Sequence, residues 1–175
     1  MLTFTSNGTM GLRIQGGDRA VTVFDAKIAT SGDLILLPVP EEQPSKNTVS
    51  WPGEYDYSGI TVRGVGQDDG QLVSFLVVAD GIHVGCIAAP LLEWTDDQRA
   101  TLGEIDVLVL PSDDPKKMQN VIDEIDPRIL ILLPDAKGKL DPDALKTCGA
   151  TGKEHVREYK VKGLPAEGRE VVVLA

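Results

Sequence analysis

The chain is poor in the residues that build metal centres and disulfide frameworks. Its 175 residues include only two histidines and two cysteines. Cys86 and Cys148 are too few for a disulfide framework, and we expect both to be ordinary thiols in the reducing cytoplasm. Two histidines do not suffice for a dinuclear centre that is rich in imidazole ligands.

Basic charge and long apolar runs are also scarce. The net charge is -10, from 27 acidic against 17 basic side chains. Because nucleic-acid affinity comes from Lys and Arg neutralising phosphates, we expect no nucleic-acid partner. No apolar run approaches the roughly 20 residues that span a bilayer, so we expect no membrane partner. Residues 1–20 lack the pattern of a secretory signal, and no Gly-rich phosphate loop is present.

The hydrophobic content of 42% is enough to build a continuous core in one domain, predicted here as residues 1–175. The first third is rich in short β-favouring runs, and the middle alternates strands with helices, which indicates an α/β fold with a mixed sheet. Strands are predicted near 3–5, 10–15, 20–25, 33–38, 60–65, 72–79, 82–88, 106–111, 129–133, 156–161 and 170–174, and helices near 93–103, 115–125 and 141–147.

One strand template occurs more than once. Residues 33–38 (DLILLP) and 106–111 (DVLVLP) share an Asp at the start and a Pro at the end, and residues 129–134 (ILILLP) repeat the later part. A buried strand of any fold has this apolar character. The agreement of both Asp and Pro in two copies indicates a duplicated architecture.

The most distinctive segment is residues 51–62, WPGEYDYSGITV. It resembles the Pro-Gly-Glu-Tyr element of a metallo-β-lactamase-fold family that includes L-ascorbate phosphate lactonases and other small Zn-dependent hydrolases. Residues 80–82, 105–111, 126–131 and 167–174 resemble later blocks of that family in the same order. The resemblance implies a four-layer αββα sandwich of two pseudo-symmetric halves, reduced in size.

The resemblance also implies a zinc site, and the sequence departs from it. Hydrolases of the family carry His-x-His-x-Asp-His after the strand that matches residues 33–37, with further His and Asp ligands after two later strands. This chain has PVPEEQP at 38–44, CIAA at 86–89 and LPD at 133–135. We therefore expect no metal and no cofactor, since zinc hydrolysis needs imidazole and carboxylate ligands.

The remaining His and Cys residues do not suggest a smaller site. His83 and Cys86 have a spacing found in metal sites, but on a strand, residues three apart point to opposite faces. We expect an outward His83, a buried Cys86 and an exposed His155.

Carboxylates offer an alternative. If the three Pro-terminated strands are neighbours, their ends gather five acidic residues at one rim, where ligands collect in open α/β sheets. Such a group suits Mg²⁺ or Ca²⁺, or an acid/base pair. Acidic residues in solvated loops give the same pattern. The candidates are Glu41, Glu42, Asp113, Asp114 and Asp135.

The Pro-Gly-Glu-Tyr element is interpreted mainly as a structural turn, because Gly53 permits backbone geometry closed to other residues. A second interpretation is an interface formed by Trp51, Tyr55 and Tyr57, since aromatic residues are enriched at protein interfaces.

These observations predict a catalytically inactive metallo-β-lactamase-like protein in the cytoplasm. We expect it to act as a binding or assembly module, with an unknown protein partner or in a homo-oligomer. The alternative is a hydrolase of the same fold with a rearranged carboxylate site, although fold by itself is weak evidence for function.

Overall fold

The computed structural model describes residues 1–175 as two β-sheets packed face to face, with three helices on one side. The elements are β1 (Leu2–Ser6), β2 (Leu12–Gly16), β3 (Arg19–Val23), β4 (Leu34–Leu36), β5 (Thr48–Val49), β6 (Gly53–Tyr57), β7 (Ile60–Gln67), β8 (Leu72–Ala79), β9 (Ile82–Cys86), α1 (Asp96–Leu102), β10 (Val107–Pro111), α2 (Pro115–Ile125), β11 (Ile129–Leu133), α3 (Pro142–Thr147), β12 (His155–Val156), β13 (Glu158–Val161) and β14 (Glu170–Leu174).

The first sheet has six strands in the order β13-β1-β2-β3-β4-β5. In β1, β2 and β4 buried residues alternate with more exposed ones, because one face covers the core and the other faces outward. In β3 the last four residues are all buried. In β1 the even-numbered residues Leu2, Phe4 and Ser6 are buried, whereas Thr3 and Thr5 are partly exposed. The predicted hairpin between β2 and β3 is present, with Gly17 at φ 59° in its loop.

The second sheet has eight strands in the order β12-β14-β11-β10-β9-β8-β7-β6. Every residue of β10 and of β11 is buried, and the two strands pair in parallel. This follows from their position, because one face covers the core between the sheets and the other face is covered by helices. Their near-continuous Val, Ile and Leu content is the sequence signature of that position.

All three helices pack on the outer face of the second sheet. Thr95 is the N-cap of α1 and forms a capping box with Gln98. The Thr95 hydroxyl oxygen accepts the Gln98 N–H, and the Gln98 side-chain oxygen accepts the Thr95 N–H. Asp114 caps α2, and Pro115 occupies its first turn. The buried side of α2, which includes Met118, joins an apolar cluster that contains Leu108 and Leu110 of β10. The longest helix, α2, has 11 residues, and no helix has the length and apolarity to cross a membrane.

The outer face of the first sheet carries no α-helix. A 3-10 turn at Ala26–Ile28 is the only helical element between β3 and β4. The turn's loop is tied down by Asp33, whose carboxylate accepts bonds from the Arg13 guanidinium (2.8 Å) and the Thr30 N–H (2.9 Å). Burial raises the pKa of Asp33, but the Arg13 and Thr30 contacts outweigh it, so this pKa lies below its usual value. Of the helical layer expected on the first sheet, only this 3-10 turn is present between β3 and β4.

Three expectations about the strands need correction. Residues 53–57, interpreted as a turn, form the edge strand β6, because Tyr55 and Tyr57 alternate with exposed neighbours and pack on the core. Residues 156–161 are not one strand. The chain changes sheets there, so that β12 pairs with β14 and β13 pairs with β1. The three Pro-terminated strands are not all neighbours, since β10 and β11 pair while β4 lies in the first sheet.

Candidate functional site

The ends of β4, β9, β10 and β11 meet although they belong to two sheets. We call residues 38–44, 86–89, 111–114 and 134–136 the strand-end rim. Four hydrogen bonds, each of which an N–H donates, join rim residues to residues just outside the rim. They are Val73 N to Pro38 O (2.8 Å), Ala88 N to Ser74 Oγ (2.9 Å), Leu91 N to Asp113 Oδ2 (3.0 Å) and Ser112 N to Leu133 O (2.8 Å). The rim is therefore fixed to β8, to β11 and to the loop after β9.

Apolar side chains fill the part of the rim that follows β9. Cys86, Ile87 and Ala88 are each fully buried, and Leu91 is buried beside them. Cys86 belongs to the core between the sheets, whereas Ile87 and Leu91 belong to the cluster beneath the helices. These positions close the rim, and the one sulfur donor among them, Cys86, is buried in the core between the sheets.

The carboxylates of the three Asp residues of the rim accept hydrogen bonds from backbone N–H groups. Asp113 accepts the N–H of Leu91 through one oxygen and the N–H of Asp114 (2.6 Å) through the other. Asp114 accepts the Lys117 N–H (3.1 Å) as the cap of α2. Asp135 accepts two N–H groups, from Lys137 and Lys139, each at 2.9 Å. Such bonds satisfy helix and turn donors, so these carboxylates hold loops in place.

The two glutamates of the rim differ from the aspartates. Glu42 is exposed. Glu41 is held by its main chain, which donates to Ser50 Oγ (3.0 Å) and accepts the Trp51 indole N–H (2.9 Å). Its Oε1 atom is buried without a hydrogen-bond partner. Five surface cavities are lined by other residues, and none of the five carboxylates predicted for this rim lines them.

The histidines and cysteines lie where the strand pattern predicts. His83 is partly exposed and its Nδ1 lies 3.3 Å from Asp106 Oδ2, while Cys86 points into the core. His155 is exposed on β12. Burial raises the pKa of Cys86 to about 12 and that of Cys148 to about 11, so both thiols are protonated near neutral pH. No three His, Cys, Asp or Glu side chains are placed to hold one metal ion.

The three aromatic residues of the predicted interface have different environments. The Tyr55 hydroxyl donates to Trp51 O (3.0 Å), and the Tyr57 hydroxyl donates to Gly32 O. Both tyrosine rings pack against the core. Trp51 is 49% exposed, although its indole N–H is bonded to Glu41 O. Of these three aromatic residues, only Trp51 has a large exposed apolar surface.

Sequence reasoning did not single out the three serines that fasten the rim. Ser50, Ser74 and Ser112 are buried, and their hydroxyls accept N–H groups from Glu41, Ala88 and Asp141. Each bond joins segments at least nine residues apart in the chain. No local pattern marks such serines, because their partners are set by tertiary structure.

Two sheets packed face to face, with helices outside one of them, define an α/β sandwich of the metallo-β-lactamase type. Comparison with solved structures agrees. A protein from Thermotoga maritima, named for a Zn-dependent hydrolase of the metallo-β-lactamase superfamily, superposes with a TM-score of 0.79 at 22% identity, over 99% of this chain and 98% of the other. The metallo-β-lactamase fold protein YhfI from Bacillus subtilis gives 0.63 at 10% identity, over 99% and 96%. A protein from Parabacteroides distasonis, named for a metal-dependent hydrolase, gives a TM-score of 0.61 at 13% identity, over 99% of this chain and 92% of the other. No protein-family model and no curated protein matches the sequence.

The fold resemblance predicted from sequence is thereby confirmed, and the chain has the metallo-β-lactamase fold. The zinc centre that the resemblance implies does not fit the donors present. A zinc hydrolase holds its metal with His, Cys and carboxylate ligands and leaves one position open. The strand-end rim contains no imidazole. It has buried alkyl side chains, the buried Cys86 thiol, three Asp carboxylates already bonded to the backbone, and the separate carboxylates of Glu41 and Glu42.

Proposed function

We propose that this protein is a catalytically inactive relative of the metallo-β-lactamase-fold hydrolases and works as a protein-binding module in the cytoplasm. The observation that carries this proposal is the state of the strand-end rim. No imidazole is present at the rim, its Asp carboxylates accept backbone N–H groups, and its one thiol, Cys86, is buried in the core, so the ligand set of a zinc hydrolase is missing there. The two buried, unpaired cysteines are in keeping with a reducing compartment.

The test combines metal content with activity. The purified protein is measured for zinc, iron and manganese, before and after incubation with each ion, and is assayed with a lactone and a phosphodiester. We expect less than about one tenth of a metal per chain and no turnover above buffer, because a tight zinc site needs three protein ligands. Stoichiometric metal together with hydrolysis would show that the proposal is wrong.

A variant with both histidines replaced, His83→Ala and His155→Ala, is the matched control for this test. It removes every imidazole of the chain, and neither side chain belongs to the strand-end rim. Metal that is retained by this variant has oxygen or sulfur ligands. Metal that is lost with the imidazoles is held away from the rim and does not support a hydrolase site.

The second candidate function is a hydrolase with a rearranged carboxylate site formed by Glu41, Glu42, Asp113, Asp114 or Asp135. The specific observation in its favour is the buried Oε1 of Glu41, which has no partner. Replacement of Asp113 and Asp135 by Ala should abolish such an activity. Since both residues also hold loops, the Asn variants are measured alongside, and the rate is divided by the folded fraction from circular dichroism. Unchanged rates in all four variants would rule this candidate out.

A further inference from the structure

The edge strand β6 leaves part of its backbone without partners. It pairs only with β7, through the turn Ser58-Gly59. Both turn residues have positive φ, 49° and 91°, which is the geometry of a two-residue type I′ hairpin. In that hairpin the flanking pair Tyr57 and Ile60 is hydrogen-bonded, and the bonded pairs then alternate. The N–H and C=O groups of Glu54 and Asp56 therefore face away from β7, at the free edge of the sheet.

The side chains of β6 are sorted between its two faces. Tyr55 and Tyr57 point towards the core, and their hydroxyls bond to backbone carbonyls of neighbouring loops. Glu54 and Asp56 point outward and are exposed. Glu54 pairs with Arg63 Nε at 2.9 Å, while Asp56 accepts only the Thr61 hydroxyl at 3.3 Å and keeps an uncompensated charge. The strand is thus firmly seated and carries acidic side chains along an open edge.

An exposed apolar patch lies next to the start of β6. It is the side chain of Trp51, which is 49% exposed and is one of the few exposed large hydrophobic residues of the chain. The patch is held in shape because the indole of Trp51 donates to Glu41 O (2.9 Å). Gly64 admits this segment, since a Cβ there would lie 2.9 Å from Trp51 O. Two residues separate the tryptophan from the free edge.

A groove of about 490 Å³ runs beside the strand on its outer face. Its lining includes Glu54, Arg63 and Asp97, together with the backbone of Gly53, Gly64 and Gly66. Two carboxylates against one guanidinium give this groove a net negative charge. Alternate side chains of a strand added at the edge would lie on this face.

We propose that an extended, basic segment of a partner protein binds here by adding a strand to β6. The backbone groups of Glu54 and Asp56 pair with the segment, its alternate Lys or Arg side chains meet the acidic outer face, and an apolar side chain packs on Trp51. A second copy of this chain is a poorer occupant, because it would bring Glu54 and Asp56 opposite like charges. The net charge of -10 also attracts cationic segments. This inference rests on the proposed role as a binding module and specifies the partner.

The probe is a nine-residue peptide that alternates Lys and Val, compared with a peptide of the same composition whose lysines form one block, and with an alternating Glu and Val peptide. Binding is followed by amide hydrogen exchange and by titration. We expect the alternating basic peptide to slow exchange of the Glu54 and Asp56 amides and to bind about tenfold tighter than the blocked peptide, because the block divides its lysines between the two faces of the added strand.

Variants separate the backbone contribution from the charge. Asp56→Ala removes the carboxylate and keeps the outward N–H, whereas Asp56→Pro removes both and leaves the ladder to β7 intact. We expect affinity to fall about threefold and about tenfold respectively, and about tenfold for Trp51→Ala. Glu154→Ala is the matched charge control, because it also removes one negative charge and Glu154 is exposed beside β12, at the opposite edge of the second sheet from β6; we expect less than about a twofold change there.

The outcomes are distinct. Equal affinity for the two basic peptides, unchanged exchange of the Glu54 and Asp56 amides, or a dimer mass in light scattering without peptide would each overturn this inference. Absence of binding together with absence of hydrolysis contradicts the inference and leaves the proposed lack of catalysis standing. Strand addition accompanied by metal-dependent hydrolysis contradicts the proposed function and leaves the site on β6 standing.

Discussion

The strand-end rim and the free edge of β6 both carry acidic residues, but the two regions use them differently. At the rim, the carboxylates of Asp113 and Asp135 each accept two backbone N–H groups. At the edge, Asp56 accepts one hydroxyl, and the main-chain groups beside it have no partner in the sheet. The Asp carboxylates of the rim are paired with groups of the same chain, whereas the outward main-chain groups of the edge have no partner in the sheet.

This difference shows that the surroundings of an acidic residue decide its role. At the rim the Asp carboxylates accept backbone N–H groups and hold loops. An unpaired strand edge is normally shortened, covered or charged to prevent uncontrolled pairing. In this chain the exposed side chains of the edge, Glu54 and Asp56, carry one sign of charge, which disfavours pairing with a second copy and is the basis for proposing a basic partner.

The largest expected effect is at the rim. Asp113→Ala leaves the N–H of Leu91, a fully buried residue, without its partner, and it also frees the N–H of Asp114. Each bond to a charged acceptor contributes about 1.5–3 kcal/mol, so we expect the free energy of unfolding to fall by about 3 kcal/mol. Urea denaturation followed by circular dichroism measures this loss.

Asp113→Asn is the control for that change. An amide keeps one carbonyl acceptor in place, so the loss should be about 1 kcal/mol. If the Ala and Asn variants are both as stable as the natural protein, the interpretation of Asp113 as a loop anchor is wrong, and its carboxylate becomes available for another role at the rim.

An intermediate effect of opposite sign is expected at Glu41. Its buried Oε1 has no hydrogen-bond partner, and a buried acceptor without a partner costs free energy. Glu41→Met keeps most of the side-chain volume and removes the carboxylate, so stability should rise by about 1 kcal/mol. Glu42→Met, at the exposed neighbour, is the control and should be neutral. A loss of stability in Glu41→Met would mean that the carboxylate has a partner, such as a bound cation.

Much of the fold follows from sequence patterns that are local. The period-two alternation of the first sheet, the unbroken apolar runs of β10 and β11, and the capping residues Thr95 and Asp114 each determine their element with neighbours along the chain. The bounds of α2 and β11 agree with the sequence prediction for this reason. Local rules suffice where a face is either wholly buried or wholly exposed.

The remaining features depend on tertiary structure. The sequence indicates a turn at β6 because Pro52 and Gly53 are turn residues. The strand forms there because it pairs with β7, which the local pattern does not show. The change of sheet between β12 and β13 has no local signal either, since it is set by which strand edge is vacant. At the rim, the sequence placed acidic residues near one another but did not show that backbone N–H groups had already engaged Asp113 and Asp135.

The smallest expected effect on stability is at the free edge of β6. Asp56→Lys changes the charge by two units, but Asp56 is exposed and only the Thr61 hydroxyl contacts its carboxylate. Stability should therefore change by no more than about 0.5 kcal/mol, as for an ordinary surface substitution. The same variant should reverse the preference between the alternating basic and acidic peptides, because it changes the sign at the open edge. A loss of several kcal/mol in urea denaturation would place Asp56 with the structural carboxylates of the rim, and the distinction between the two regions would no longer hold.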